Sequence, residues 1–145
     1  MATGNLKYDA SLTNEKRSVK IFKDLNLNFN PNAVTKDITK LTDVEAIKRS
    51  VKNLVQLNHY EKPFHPEIGS NVRATLFENM TPITAAVLTR QIEGVIRDYE
   101  PRVELSRVDS IPNIDANRYD VRIEFFIINA PSELIALDTI LERVR

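Results

Sequence analysis

The chain has no cysteine, which removes disulfide frameworks, thiolate nucleophiles and cysteine zinc sites at once. That absence fits assembly in a reducing cytoplasm. It has only three glycines, too few for a phosphate-cradling loop. It has no excess charge: 20 Lys and Arg balance 20 Asp and Glu, so nothing in the totals points to nucleic acid or an anionic membrane. No apolar run approaches the roughly 18 residues of a membrane span. The segment from Met1 to Lys20 is polar and does not read as a secretory signal. What is present is 145 residues at 42% apolar content, enough for one domain with one core.

Residues 1–35 read as an arm carrying a short edge strand, and 36–145 as a single α+β domain. Met1 to Arg17 lacks periodicity and suits either a frayed end or an arm that orders on a neighbouring subunit. Ser18 to Phe22 alternates as a short strand, Asn26 to Asn32 is loop, and Lys36 to Leu41 alternates weakly. Thr42 and Glu45 match a capping box that opens a helix over about 43–57, with Val44, Ile47, Val51, Leu54 and Val55 on its core face. His59 to Gly69 is a loop broken by two prolines, which Phe64 and Ile68 are expected to pin to the core. Its His59, His65, Glu61 and Glu67 match no metal-ligand spacing, and no metal or other cofactor is expected. Ser70 is placed to cap a short helix reaching Phe77.

Thr81-Pro82 opens the longest helix, with the cap residue and first-turn proline that helices favour. Ile83, Val87, Leu88, Ile92, Val95, Ile96 and Tyr99 form its expected apolar face, and Gly94 suggests a close crossing. Pro101 ends it by disfavouring the α conformation at Glu100. Glu100 then sits at the negative end of the helix dipole, which costs roughly 0.3–1 kcal/mol. Taken as an exposed pair, Arg102 offsets this only partly. The junction reads equally as an ordinary helix stop or as a charged couple fixed for a contact. Strands follow over Val103 to Val108, with Glu104 and Ser106 outward, and over Arg118 to Ile128, separated by turn residues Pro112 to Asn117. Asn129 to Ser132 turns. Glu133 to Arg145 fits a helix or a strand, and the strand is preferred because a two-stranded ribbon is marginal alone. The expected architecture is two main helices and a short one packed on a small antiparallel C-terminal sheet.

Catalysis has little support. Glu61, Glu67, Glu78 and Glu100 are the candidate carboxylates for glycoside hydrolysis, but no spacing unites two of them. A binding role fits better: the C-terminal strands leave an edge for another chain, and Arg102 offers a planar fork to a carboxylate.

Three stretches carry a family resemblance: Pro66-Glu67-Ile68-Gly69-Ser70, Leu76-Phe77, and Tyr99-Glu100-Pro101-Arg102-Val103. In order and spacing, from about Asp43 to Arg145, the chain resembles the sheath-initiator wedge subunits of contractile-tail baseplates in myophages, which have a counterpart in type VI secretion. Ile68 departs from the family's usual aromatic, and Glu61-Lys62 from its glycine-containing turn. The resemblance implies a structural, non-enzymatic virion protein of the tail baseplate, assembled in the host cytoplasm. Implied partners are other wedge proteins, the tail sheath protein, and the tail tube or central hub, with no nucleic acid or membrane. It implies wedge contacts at Glu100, Pro101 and Arg102, and a supporting loop at Pro66, Glu67 and Gly69. It also implies a sheath-facing edge at Arg118, Arg122, Leu141 and Arg143. On that reading Arg102→Ala leaves the fold intact and blocks baseplate incorporation. A tail-associated peptidoglycan hydrolase and a type VI secretion baseplate component are the alternatives.

Overall fold

A computed structural model describes residues 22–128 and 130–142. The arm before Phe22 and Arg143 lie outside the described residues, as does nearly all of the strand expected at 18–22. The chain first forms a small antiparallel hairpin from β1 (Lys23–Leu25) and β2 (Lys40–Thr42). These strands lie on either side of residue 35, so the expected boundary there falls inside one hairpin. Then come α1 (Val44–Gln56), α2 (Val72–Thr75) and α3 (Pro82–Tyr99). A meander of β3 (Val103–Asn113), β4 (Arg118–Ile127) and β5 (Ala130–Glu142) completes the fold, with β4 in the middle. The class is α+β, as expected.

The helices cover one face of this sheet. Alternation along β4 sends Tyr119, Val121, Ile123, Phe125 and Ile127 inward, all nearly inaccessible. They meet Ile47, Val51 and Val55 of α1 and Leu88, Ile92 and Ile96 of α3 in one cluster. The opposite face carries Arg118, Asp120, Arg122 and Glu124 along β4, alternating in sign. There Arg122 makes a two-pronged contact with Asp138 across the pair, at 2.8 and 3.2 Å.

Several local expectations need correction. The capping box does not form: Asp43, at φ 49°, takes the cap position of α1. The chain arrives there directly from β2, and backbone pairing with Phe22 fixes Asp43. Ser70 does not cap α2. Its hydroxyl donates to the Val55 carbonyl at 3.0 Å, closing the loop that precedes α2. Thr81 does cap α3, accepting from the Thr84 N–H at 3.1 Å. Ile83 and Val87 are exposed, and Thr84 and Ala85 face inward instead. At about 100° per residue Ile83 lies about 180° from Ile92, so one helix cannot bury both against the same sheet. Gly94 marks no close crossing: nothing lies within 4 Å of a Cβ built there.

The strands run longer than the turn residues suggest. β3 continues through Pro112, tolerated because β3 is an edge strand. Ser106 is an extra residue in β3, a bulge between the Leu105–Phe125 and Arg107–Glu124 pairs. It lets Leu105 and Val108 both turn inward. The tail is a strand, and β5 already begins at Ala130, so the turn expected over 129–132 is shorter.

Candidate partner-binding site

The Glu-Pro-Arg junction folds back on itself. Glu100 caps the C-terminus of α3, its N–H donating to the Ile96 carbonyl. Pro101 turns the chain, and Val103 N–H closes the turn on Glu100 O at 3.2 Å. Two residues apart across this turn, Arg102 grips the Glu100 carboxylate with Nε at 2.5 Å and a terminal nitrogen at 2.7 Å. Ser50 of α1 adds a third donor at 2.6 Å. Phe22 lies under the guanidinium, with Cζ 5.3 Å from the ring centre.

Glu100 is therefore not a solvated carboxylate: only 3% of it is exposed. Burial pushes its pKa up, but hydrogen bonds from Arg102 and Ser50 outweigh that and hold it below the usual carboxylate range. The same pairing raises Arg102 further. The treatment of this pair as exposed and weak is thus overturned. The helix-end penalty is offset by a forked ion pair in the connection from α3 to β3, and the Ser50 hydroxyl ties α1 to it. Arg102 keeps about a third of its side chain accessible, and Pro101 is exposed. Nothing in the sequence pointed to Ser50 or Phe22, since each lies dozens of positions from the junction and only the tertiary fold brings them in.

The loop of 58–70 lies beside this junction. Its neck is closed by Ser70 N–H to Leu57 O at 2.8 Å. Gly69, at φ 152°, passes so close to Asn58 that a Cβ would lie 2.5 Å from its carbonyl carbon. Tyr99, the last residue of α3, donates its hydroxyl to the Glu67 carbonyl at 2.9 Å. The loop and the junction, separate in sequence, are thereby tied together. His65 Nδ1 lies 3.1 Å from a Glu67 carboxylate oxygen, and His59 Nδ1 lies 3.1 Å from the Glu67 carbonyl. Among the described residues no three His, Asp or Glu side chains converge as a metal site would need. Glu67, like Pro66, is exposed. Phe64 does not pin the loop to the core: it is 98% exposed. Ile68 is half-buried and lines a cleft of about 440 Å³ with Ser50, Leu57, Lys62, Pro63 and Tyr99.

The expected sheath-facing residues are scattered. Arg118 and Arg122 belong to the middle strand, so they lie on the outer face and not on an edge. Leu141 turns inward and is buried.

A family model for the baseplate wedge protein gp25 matches residues 42–132, which include all three helices, the loop and the junction. The chain belongs to the baseplate wedge protein gp25 family. Baseplate wedge protein gp25 of Enterobacteria phage T4 is 36% identical over 99 residues, covering 68% of this chain and 75% of that protein. As a member of the family, the chain is a structural baseplate component of a contractile tail. Solved structures share its fold. A chain of the anti-feeding prophage baseplate superposes with a TM-score of 0.58 at 22% identity, covering 86% of this chain and 87% of that one. A chain of the pyocin R2 baseplate after contraction gives 0.57 at 17% identity, covering 73% and 98%. A Geobacter sulfurreducens protein described as a candidate tail lysozyme gives 0.62 at 19% identity, covering 68% and 89%.

Proposed function

We propose that this gp25-family subunit templates sheath assembly, offering the outer edge of β5 to a strand of the first sheath ring. One observation carries the reading: from Ile135 to Glu142 β5 runs in unbroken register with β4, and among the described residues nothing pairs with its other side. Its backbone donors and acceptors along the other side are an opening for β-augmentation. β3 is the other edge of the sheet, but Pro112 and the bulge at Ser106 blunt it. β5 has a proline and a register shift too, but both fall at its start, at Pro131 and before Ile135, and leave Ile135 to Glu142 regular. Assembly takes place in the host cytoplasm, with the tail tube or central hub as near neighbours.

Contact with the other wedge proteins runs through the Glu-Pro-Arg junction, with divided roles. Glu100 is buried and acts by holding Arg102. Arg102 and the exposed Pro101 are what a partner meets. The role proposed is structural and not hydrolytic: Glu100, the buried one among the candidate carboxylates, is taken up by Arg102 and Ser50. A glycosidase acid needs a carboxyl whose pKa is raised. Glu61, Glu67 and Glu100 are all shifted down, the first by hydrogen bonds from Asn58, the second by hydrogen bonding at its own backbone and from His65.

The test is a structure of the assembled tail end. A sheath strand should lie along β5 at the usual ladder spacing of about 4.8 Å. A β5 edge closed by this chain's own residues, with the sheath seated elsewhere, overturns the proposal.

A further inference from the structure

The 58–70 loop contains two tight turns with the same oddity. In the first, Glu61 N–H returns to Asn58 O, and the third residue, Tyr60, has φ 70°. In the second, His65 N–H returns to Lys62 O, Pro63 takes the second position, and the third residue, Phe64, has φ 66°. A positive φ at the third position is the mark of a type II turn, where glycine is favoured because any Cβ is crowded. An aromatic residue is strained there. Such strain persists where the surroundings demand it. Here the chain's own packing does not: Tyr60 is 86% and Phe64 98% exposed. Among the described residues neither ring is covered.

The rest of the loop is built to hold them still. Tyr60 N–H donates to Pro66 O at 2.9 Å across the loop. Glu61 accepts from the Asn58 backbone and side chain, both at 2.8 Å, and meets Arg73 at 3.5 Å. Glu67 takes His65. Both loop carboxylates are thus engaged within the loop and its flank. Lys62, next to the tip, makes no ion pair among the described residues.

We propose that this loop is a rigid knob whose Phe64 inserts into an apolar socket with an acidic rim on another baseplate protein, Lys62 meeting the rim. The chemistry follows from the tip: one large ring that no described residue covers, one lysine beside it that forms no ion pair among the described residues and feels Glu67 only at longer range, and a neck pinned so that little order is lost on docking. The knob borders the cleft that contains Ser50 and Tyr99, on the same side as the Glu-Pro-Arg junction. The proposal rests on the family role in a baseplate but not on sheath templating.

Two substitutions separate anchoring from folding. Phe64→Gly removes the ring and relieves the positive φ, so its melting temperature should equal or exceed that of the unmodified chain. Phe64→Ala removes the ring and keeps a Cβ. Each variant is co-expressed with the remaining tail proteins, and its occupancy per purified baseplate is measured by quantitative mass spectrometry. Both should fall at least tenfold, and Lys62→Glu should fall in the same direction. A benzophenone side chain at position 64 should cross-link to another baseplate protein within the particle. Unchanged occupancy for both Phe64 variants, or a cross-link only to a second copy of this chain, overturns the knob. Neither result bears on β5, whose readout is the sheath strand beside it.

Discussion

Single residues here act through what they leave behind when removed. Arg102→Ala strips two of three donors from a carboxylate that is 3% exposed. Loss of one partner of a buried pair costs about 3 kcal/mol. Thermal or urea unfolding should show a loss of that order, so this variant does not isolate a contact role as the sequence suggested. Arg102→Lys, which keeps the charge but not the fork, should lose less stability. Gly69→Ala has no room: its Cβ would meet the Asn58 backbone at 2.5 Å in a φ that favours glycine. A loss of about 3 kcal/mol in urea unfolding is expected, from overpacking together with strain. Tyr119 shows the reverse. Its hydroxyl is buried with no partner among the described residues, and its pKa is raised by burial and by Glu78. Removing an unsatisfied group is nearly free, so Tyr119→Phe should match or exceed the parent in urea midpoint.

At the scale of elements, register decides what each strand can do. Ser106 is a spare residue: on either side of it β3 already presents Leu105 and Val108 to the helices. Deleting Ser106 should restore plain alternation and cost less than about 1 kcal/mol. Deleting Asp120 from β4 instead turns every following side chain over and should prevent folding. Circular dichroism and urea midpoints distinguish the two. Alternation in β4 and the Thr81-Pro82 start of α3 were legible because both are local patterns that the fold obeys. Ile83 was misread because an apolar stripe wider than the available contact leaves its margin outside. The length of β3 was misread because proline breaks a central strand but not an edge.

For the molecule as a whole, the ion pair at the junction sets an acid limit. Glu100 has its pKa lowered on folding, so it adds stability above the range where a free carboxylate titrates. That stability fades as pH falls through the folded value. Melting temperature should therefore drop from about pH 7 to about pH 3, and Glu100→Gln should start lower and fall less steeply. Glu61, Glu67 and Asp138 shift in the same direction, but they are exposed and add little. Ser50 of α1 donates to the same carboxylate, so protonating Glu100 should weaken the tie between α1 and the end of α3.

The local order of the chain determined the α+β class, the two main helices, the central strand and the family, because periodicity, capping residues and short motifs are written over neighbouring positions. Tertiary structure alone decided that Glu100 is buried, that Ser50 and Phe22 complete its surroundings, and that Arg118 and Arg122 lie on a face and not an edge. The physical reason is distance along the chain. Ser50 and Glu100 are 50 residues apart, and no local pattern records which distant donor will meet a carboxylate once the core has closed.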